Sequence, residues 1–531
     1  MTSQKISTRS AGLIALAVMC SRILGLAREL ILARLFGAGF AMDAFVSAFR
    51  VPNLLRDLFA EGALSTAFVT TFSKKIKTEG DEAAWALANK VATMATVVLS
   101  VLTLAGIVFA PQLVGILAGG GGFSAEKIEL TVYLTRLMFP FILLVSLAAL
   151  AMGMLNSRNV FGPPAMASSF FNLGSIFGGT VLGWWLDPHF GTRALTGLAF
   201  GTLIGGALQL VVQFPALAKV GFRFRPDFLW RDEGVRSVLR LMGPAVIAAS
   251  AVQVNVMVNS RFATSLPMDG PVSWLNCAFR LMQLPLGMFG VAIGTLTLPA
   301  ISRSAAAGNA VEFRTILARG MRLAFVLTVP STVGLILLAQ PIISLLYEHG
   351  KFTALATHET AAALQYYALG LIAYSGIKVL APAFYAIDKR RTPMMVSFGA
   401  IGLNLLLNWL FTFKLNMGHR GLALSTGCVA MMNFLALYLL MRRETQLLQT
   451  RLMIFTLSKL GLACLPLAAI CWGAQQTVFG NWPALPLALK GVYLFGTIGL
   501  GCVAFFGAAI ALRVDGLEDI TAVLRRKLLK K

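Results

Sequence analysis

The sequence predicts an all-α protein that crosses a membrane many times: about fourteen transmembrane helices, two six-helix lobes related by an internal repeat, and two extra C-terminal helices. Three observations predict it: composition, a succession of apolar runs of bilayer length, and short motifs that recur 230 residues apart. Of 531 residues, 57% are hydrophobic and only 13% charged, and mean hydropathy is +0.78. Soluble domains carry about a quarter of their residues as charge, so this chain cannot clothe 56.9 kDa in a water-facing surface. A soluble enzyme, a disordered chain and a fibrous protein are excluded.

A hydrocarbon core of about 30 Å needs roughly 20 apolar residues per helix. Candidate spans fall near 10–36, 43–73, 84–118, 127–155, 162–186, 193–218 and 236–264, then near 272–302, 313–346, 358–387, 393–415, 420–441, 453–478 and 486–513. The longest imply helices that run past the membrane or tilt. No cleavable signal peptide is expected, because Met1–Ser10 leads straight into a full-length span.

Alternate loops decide orientation. One set carries Lys74-Lys75-Lys77, Arg158, Lys219 with Arg223, Arg225 and Arg231, Arg303, Lys389-Arg390-Arg391, Arg442-Arg443 and the tail Arg525 to Lys531. The intervening loops, such as Gly119–Gly122 and Asp187-Pro188-His189, are nearly bare. The positive-inside rule then puts both termini in the cytoplasm, in agreement with an even helix count. The same loops explain the net charge of +23, so nucleic acid is not an expected partner.

Ala48-Phe49-Arg50 in the second span recurs as Ala278-Phe279-Arg280 in the eighth. The same offset pairs Phe59 with Phe289, Ser65 with Thr295 and Pro163 with Pro393. Three segments follow: an N-terminal lobe over 1–230, a C-terminal lobe over 231–448, and helices 13–14 with the basic tail over 449–531. Internal repeats with a site at their interface are a usual build of secondary transporters.

Charge inside the spans is the anomaly. Arg22, Arg28 and Glu29 lie in the first, and Arg50, Arg56, Asp57 and Glu61 in the second. Arg280 lies in the eighth and Lys378 in the tenth. A central Arg or Lys costs about 2.5–3.5 kcal/mol on insertion scales, so several cost on the order of 10 kcal/mol. Pairing with Glu29, Asp57 and Glu61, or snorkelling, is the structural account, and Arg50 fits it as well as any other. For Arg22, Arg28, Arg56 and Arg280 the central cations outnumber the nearby acids, which favours a wet cationic wall. Arg22 and Arg28 stand about 240° apart around a helix, so that wall is broad. Guanidinium binds phosphate and carboxylate oxygens bidentately, pointing to a large anionic substrate. Pro52 and Pro285 kink the same helices and free carbonyls beside the charges.

Other constellations are bland. Asn404 and Asn408, one turn apart, with Thr426 on the next helix, could offer neutral oxygens to a monovalent cation. No carboxylate is evident nearby, and interhelical hydrogen bonding is the competing account. Six cysteines in apolar stretches and four scattered histidines suggest neither a disulfide framework nor a metal site. With no GxxxxGKS loop and no credible acid–base or nucleophile arrangement, no enzyme and no cofactor are expected.

From Ser21 the chain reads SRILGLARELILARLFGAGFAMDAFVSAFRVPNLLRDLFAEGALSTAFV. It resembles the MurJ/MviN family, whose opening has the form SRxLGxxR(D/E)…FGxGxxxDAFxxAFxxPNxLRxxxAEGAxxxAFxP. The match covers Ser21, Arg22, Gly25, Arg28, Glu29, Asp43, Pro52-Asn53, Arg56, Glu61-Gly62 and Ala67-Phe68. Arg280-Leu281 with Pro285, and Leu346 to Thr353, add support. The resemblance implies a lipid II flippase of the multidrug/oligosaccharidyl-lipid/polysaccharide exporter superfamily, in the bacterial cytoplasmic membrane. Its cargo would be undecaprenyl-diphosphate-MurNAc-pentapeptide-GlcNAc, needed for peptidoglycan synthesis and cell shape.

By motif, the family's cavity arginines fall on Arg22, Arg28, Arg56 and Arg280, and its loop aspartate and helix-2 glutamate on Asp43 and Glu61. Many members flank the eighth-helix arginine with acids where Phe279 and Gln283 stand here, which leaves Arg280 in more cationic surroundings. The expected mechanism is alternating access through a central cationic cavity, with Glu29, Asp43, Pro52, Asn53, Glu61 and Lys378 shaping or gating it. Helices 13 and 14 would form a groove for the polyprenyl tail. Membrane potential, Na⁺ and H⁺ remain open as driving forces. Competing readings are an exporter of another lipid-linked oligosaccharide and a non-transporting scaffold for cell-wall synthesis proteins.

Overall fold

The computed structural model describes residues 8–58, 64–445, 448–480 and 482–517, and every regular element among them is helical. Glu61, Gly62 and the basic tail lie outside the described residues. Packing divides the chain into two compact units, Met1–Ser273 with His349–Phe352, and Trp274–Glu348 with Thr353–Lys531. The packing boundary therefore falls after Ser273, whereas the repeat drawn from helix order turns over near residue 230.

In the first unit, α1 (Thr8–Phe36) ends at Gly37, whose φ of +70° is the left-handed geometry that stops a helix. α2 (Phe40–Arg56) follows and runs through Pro52. α3 (Ser65–Glu79) and α4 (Asp81–Val108) break at Gly80, φ +87°. α5 (Ala110–Ala118) opens on Pro111, where proline's missing N–H goes unmissed. α6 (Ala125–Met138) starts from a Ser124 cap, and Pro140 separates it from α7 (Phe141–Ser157). α8 (Gly162–Phe177) passes through a π turn at Gly178–Leu182 into α9 (Gly183–Leu186).

α10 (Ala194–Val211) lies directly on α8 and that turn, because glycine meets glycine: a Cβ on Gly178 would sit 2.1 Å from Gly201 Cα. Close backbone approach through small residues is how helices associate where no hydrophobic effect drives them together. α11 (Phe214–Lys219) and α12 (Glu233–Thr264), capped by Asp232, complete the unit. α12 packs on α3, α4 and α5.

The second unit begins within α13 (Pro271–Pro285). Pro285 gives way to a π turn, Leu286–Val291, and then α14 (Ala292–Ala306). α15 (Ala310–Leu337) and α16 (Ala339–Tyr347) part at Leu338. α17 (Ala354–Leu369) and α18 (Leu371–Ala386) bend by 43° at Gly370, where a Cβ would lie 2.8 Å from Gly427 Cα. α19 (Arg391–Trp409), α20 (Gly418–Glu444), α21 (Thr450–Gln476) and α22 (Leu487–Ala511) follow. α21 and α22 pack against each other and against α15, contributing Leu460, Leu467 and Phe505 to the unit's core.

Ten helical stretches among the described residues are long and apolar enough to cross a membrane, or twelve if each bent pair counts once. All twelve coincide with expected spans. The first two expected spans, 10–36 and 43–73, are not among these twelve; α2 has only 17 residues. Several of the longest runs are not single straight helices. Two of them are interrupted, 84–118 at Phe109 just before Pro111 and 313–346 at Leu338. Two cysteines, Cys464 and Cys471, are buried, whereas Cys20 and Cys502 are exposed.

Candidate functional site

α1 and α2 present most of the embedded cations. Arg22 stands at the middle of the 29-residue α1, is exposed, and makes no ion pair among the described residues. α1 is held on α8 just beside it: the Asn172 amide donates to Ser21 O at 3.1 Å, beside Gly25. One turn further, the Arg28 guanidinium lies 5.3 Å from the Phe171 ring centroid and 3.4 Å from Glu29 Oε1. On α2, Arg56 donates from Nε and Nη2 to Asp57 Oδ1 at 3.1 and 2.7 Å. The other Asp57 oxygen accepts from Gln253 of α12 at 3.3 Å.

Both pairs join adjacent residues on one helix, and all four side chains stay 14–27% exposed. Neighbours in sequence point about 100° apart, so each contact is made sideways. Pro52 is buried in α2, and Asn53 lends its carbonyl to the Asp57 N–H.

Asp43 is built differently. Fully buried, it accepts from Lys127 Nζ at 3.0 Å, Gly270 N at 2.7 Å, Ser273 N at 2.8 Å and Ser273 Oγ at 2.6 Å. Lys127, equally buried, also reaches Asp269 Oδ1 at 2.8 Å and sits 4.2 Å from the Phe123 centroid. One buried ammonium thus serves two carboxylates, the second of them exposed. Also in the first unit, though far away in sequence, the 349–352 segment is laid on the end of α1: Lys351 N donates to Arg34 O at 2.9 Å, and its ammonium to His189 O and Phe190 O at 2.6 and 3.0 Å. Gly37 and Gly350 make that approach possible. Both have positive φ, and a Cβ on Gly350 would lie 2.3 Å from Arg34 O.

In the second unit, Arg280 on α13 is exposed, with Phe279 edge-on to Tyr367 at 5.3 Å and the Pro285 π turn just beyond. Lys378 is an exposed side chain on α18; its carbonyl abuts Gly294. Asn404 and Asn408 are buried and bonded to each other, Asn408 Nδ2 to Asn404 Oδ1 at 2.9 Å. Ser425 of α20 donates to Asn408 Oδ1, while Thr426 donates back to Leu422 O at 2.8 Å. A monovalent cation at this seam would have to displace those hydrogen bonds.

Sequence reasoning missed Lys127, Gln253 and Ser425, and it missed a cluster on α17 and α20. There Arg420 grips Glu359 with Nε–Oε2 3.2 Å and Nη2–Oε1 3.0 Å. His419, buried against Trp274, lies 3.2 Å from Glu359 O. A hint was available for one of these: the repeat offset of 230 carries Asp43 onto Ser273, its direct partner.

A family model described as "Lipid II flippase MurJ" matches residues 32–492. A relative from Burkholderia cenocepacia, "Lipid II flippase MurJ", is 38% identical over 430 residues, covering 80% of this chain and 82% of its own. One from Vibrio cholerae serotype O1, "Probable lipid II flippase MurJ", is 31% identical over 530 residues, covering 98% and 99%. Among solved structures, "Lipid II flippase MurJ, inward closed conformation" aligns with a TM-score of 0.77 at 26% identity, covering 94% of this chain and 99% of its own. An inward-facing multidrug resistance MATE family transporter of the MOP superfamily aligns at 0.67 with 15% identity, over 82% of this chain and 98% of its own, a likeness of fold alone.

Proposed function

The chain belongs to the lipid II flippase MurJ family, and from that membership we propose that it moves lipid II across the bacterial cytoplasmic membrane. It is a multi-span transporter and not an enzyme. The observation that carries the mechanism is four arginines within expected membrane spans that are not sealed in the protein: Arg22 and Arg280 are exposed, Arg28 and Arg56 half-buried. A guanidinium facing hydrocarbon costs about 2.5–3.5 kcal/mol, so these side chains line water or an anion. Arg22, Arg28 and Arg56 of the first unit, and Arg280 of the second, then take the diphosphate and peptide carboxylates of the cargo through charge-assisted, bidentate hydrogen bonds.

The finer architecture follows the same reading. α1, and α2 with α3, add two spans to the twelve and make fourteen. Both termini lie in the cytoplasm, as the basic loops support. Alternating access presents the headgroup to one side and then the other, and the π turns after Pro285 and within α8 supply bendable points. The polyprenyl tail stays in lipid along α21 and α22. An apolar cavity of ≈ 320 Å³ lined by Pro285, Phe289, Pro330, Leu467, Cys471 and Phe505 supports that assignment.

The test is surface-accessible lipid II in cells depleted of this protein and complemented with wild type, Arg28→Ala or Arg280→Ala. Wild type alone should restore it, at equal membrane levels of all three proteins. Equal outside lipid II without any copy, in cells lacking a second flippase, would transfer the assignment to another lipid-linked oligosaccharide.

A further inference from the structure

The segment Phe222–Arg231, FRFRPDFLWR, alternates aromatic and basic residues and belongs to nothing in the transport mechanism. It is tied along α4. Phe222 packs on Trp85 at 5.5 Å between centroids, Arg225 N donates to Asn89 Oδ1 at 3.0 Å, and Asp227 N donates to Thr93 Oγ1 at 3.1 Å. The chain then turns back, with Leu229 N on Asp227 Oδ1 at 2.9 Å, and Asp232 closes the dip on Lys90 at 2.8 Å. The tip is apolar and outward: Phe228 is 65% and Leu229 71% exposed, with Phe224 at 53%. Arg223, Arg225 and Arg231 are exposed around it.

α4 supplies the depth scale. Its 28 residues span about 42 Å at 1.5 Å each, longer than the roughly 30 Å hydrocarbon core. The polar residues Asp81, Glu82, Asn89 and Lys90 all lie in its first ten positions, and from Val91 to Val108 no charge occurs. The hydrocarbon boundary therefore lies close to Lys90–Val91. Thr93 sits just inside it, and so do the neighbouring Phe228 and Leu229, while the arginines ring the headgroup level.

We propose that this dip is a lipid anchor: its aromatic tip enters the acyl boundary, and Arg223, Arg225 and Arg231 bind the headgroups of anionic phospholipids. The occupant is a lipid and not a soluble anion, because the same ten residues present exposed apolar surface that only a bilayer covers, beside cations complementary to its anionic members.

The test uses the full chain in nanodiscs of phosphatidylcholine and phosphatidylglycerol, with bromine on the acyl chains of one lipid or the other. Trp230 fluorescence is isolated as the difference between wild type and Trp230→Phe. Brominated phosphatidylglycerol should quench Trp230 as though enriched about fivefold around it, one arginine's share of surface attraction. In R223Q/R225Q/R231Q both lipids should quench equally, with tip contact retained and the thermal midpoint unchanged. If the triple variant does not fold, the three single variants should each lower the preference. Equal quenching of the wild type by both lipids would leave an apolar anchor without a headgroup site, and absence of Trp230 quenching would put the loop in water. Either result overturns the proposal.

Discussion

Asp43 and Arg56 stand thirteen residues apart on the same helix, about 20 Å along its axis, and their surroundings are opposites. Asp43 is sealed at 0% exposure with four donors, and its cation Lys127 is as deeply buried. Arg56 keeps 22% exposure and leans on the carboxylate next to it in sequence. Arg28 repeats that pattern with Glu29. The difference separates two uses of charge within a membrane. A buried, multiply bonded pair holds helix ends and loops together, whereas a half-buried pair between neighbours keeps its cation accessible, as the proposed binding role requires. Degree of saturation is thus a better guide to function here than embedded charge itself.

The comparison breaks most sharply at the knot. Asp43→Ala leaves buried Lys127 only the exposed Asp269 and takes the acceptor from Gly270 N and Ser273, so it should lower the unfolding free energy by about 3–5 kcal/mol in detergent. If Asp43→Ala unfolds at the wild-type denaturant midpoint, saturation means little. Next come Arg28→Ala and Arg56→Ala, each expected to cut lipid II transport roughly ten- to hundredfold. That range corresponds to losing a charge-assisted bond of about 1.5–3 kcal/mol, with the unfolding midpoint unmoved. A midpoint shift as large as that of Asp43→Ala would place these arginines in the structural class.

Glu359→Gln sharpens the scheme in the second unit. Its partner Arg420 is 37% exposed, so a loss of about 1 kcal/mol or less is expected, with transport retained. Smallest is the effect of acid on Asp232. Its side-chain hydrogen bond to Lys90 is the leading cause that holds its carboxyl below the ordinary value of 3.8, against the opposing pull of burial. Its stabilising share is therefore complete above that ordinary value and is lost as pH falls through the lower, folded one. Wild type should lose a little more stability than Asp232→Asn between about pH 4 and the lower folded value, as checked by thermal midpoints at each pH.

What could be read from the sequence was whatever carries a local energetic signature. A charge in an apolar run is costly wherever it lies, so Arg22, Arg28, Arg56 and Arg280 stood out, and the spans followed from length and hydropathy. Lys127 did not stand out, because a lysine in the first turn of a span, between Glu126 and Glu129, is ordinary at an interface. Only its partner 84 residues away makes it special. Glu359 and Arg420, 61 residues apart, were hidden for the same reason. Breaks within long spans were half legible. Pro111, Pro140, Pro285 and Gly370 are visible as residues, but periodicity does not say whether neighbouring packing turns each into a bend or a new helix.

The placement of Gly350 and Lys351 has a consequence for biosynthesis. These residues cap the end of α1 and the 189–190 turn, yet the ribosome makes them only after α13 to α16. The first unit consequently cannot be finished when its own continuous stretch has emerged at Ser273. It waits, with Arg34 O and the two turn carbonyls unmet, while four helices of the other unit are threaded into the bilayer. Insertion and folding are interleaved by this one stitch, and a nascent chain halted anywhere between Trp274 and Glu348 should be held in an incomplete state, open to proteases at the α1–α2 turn.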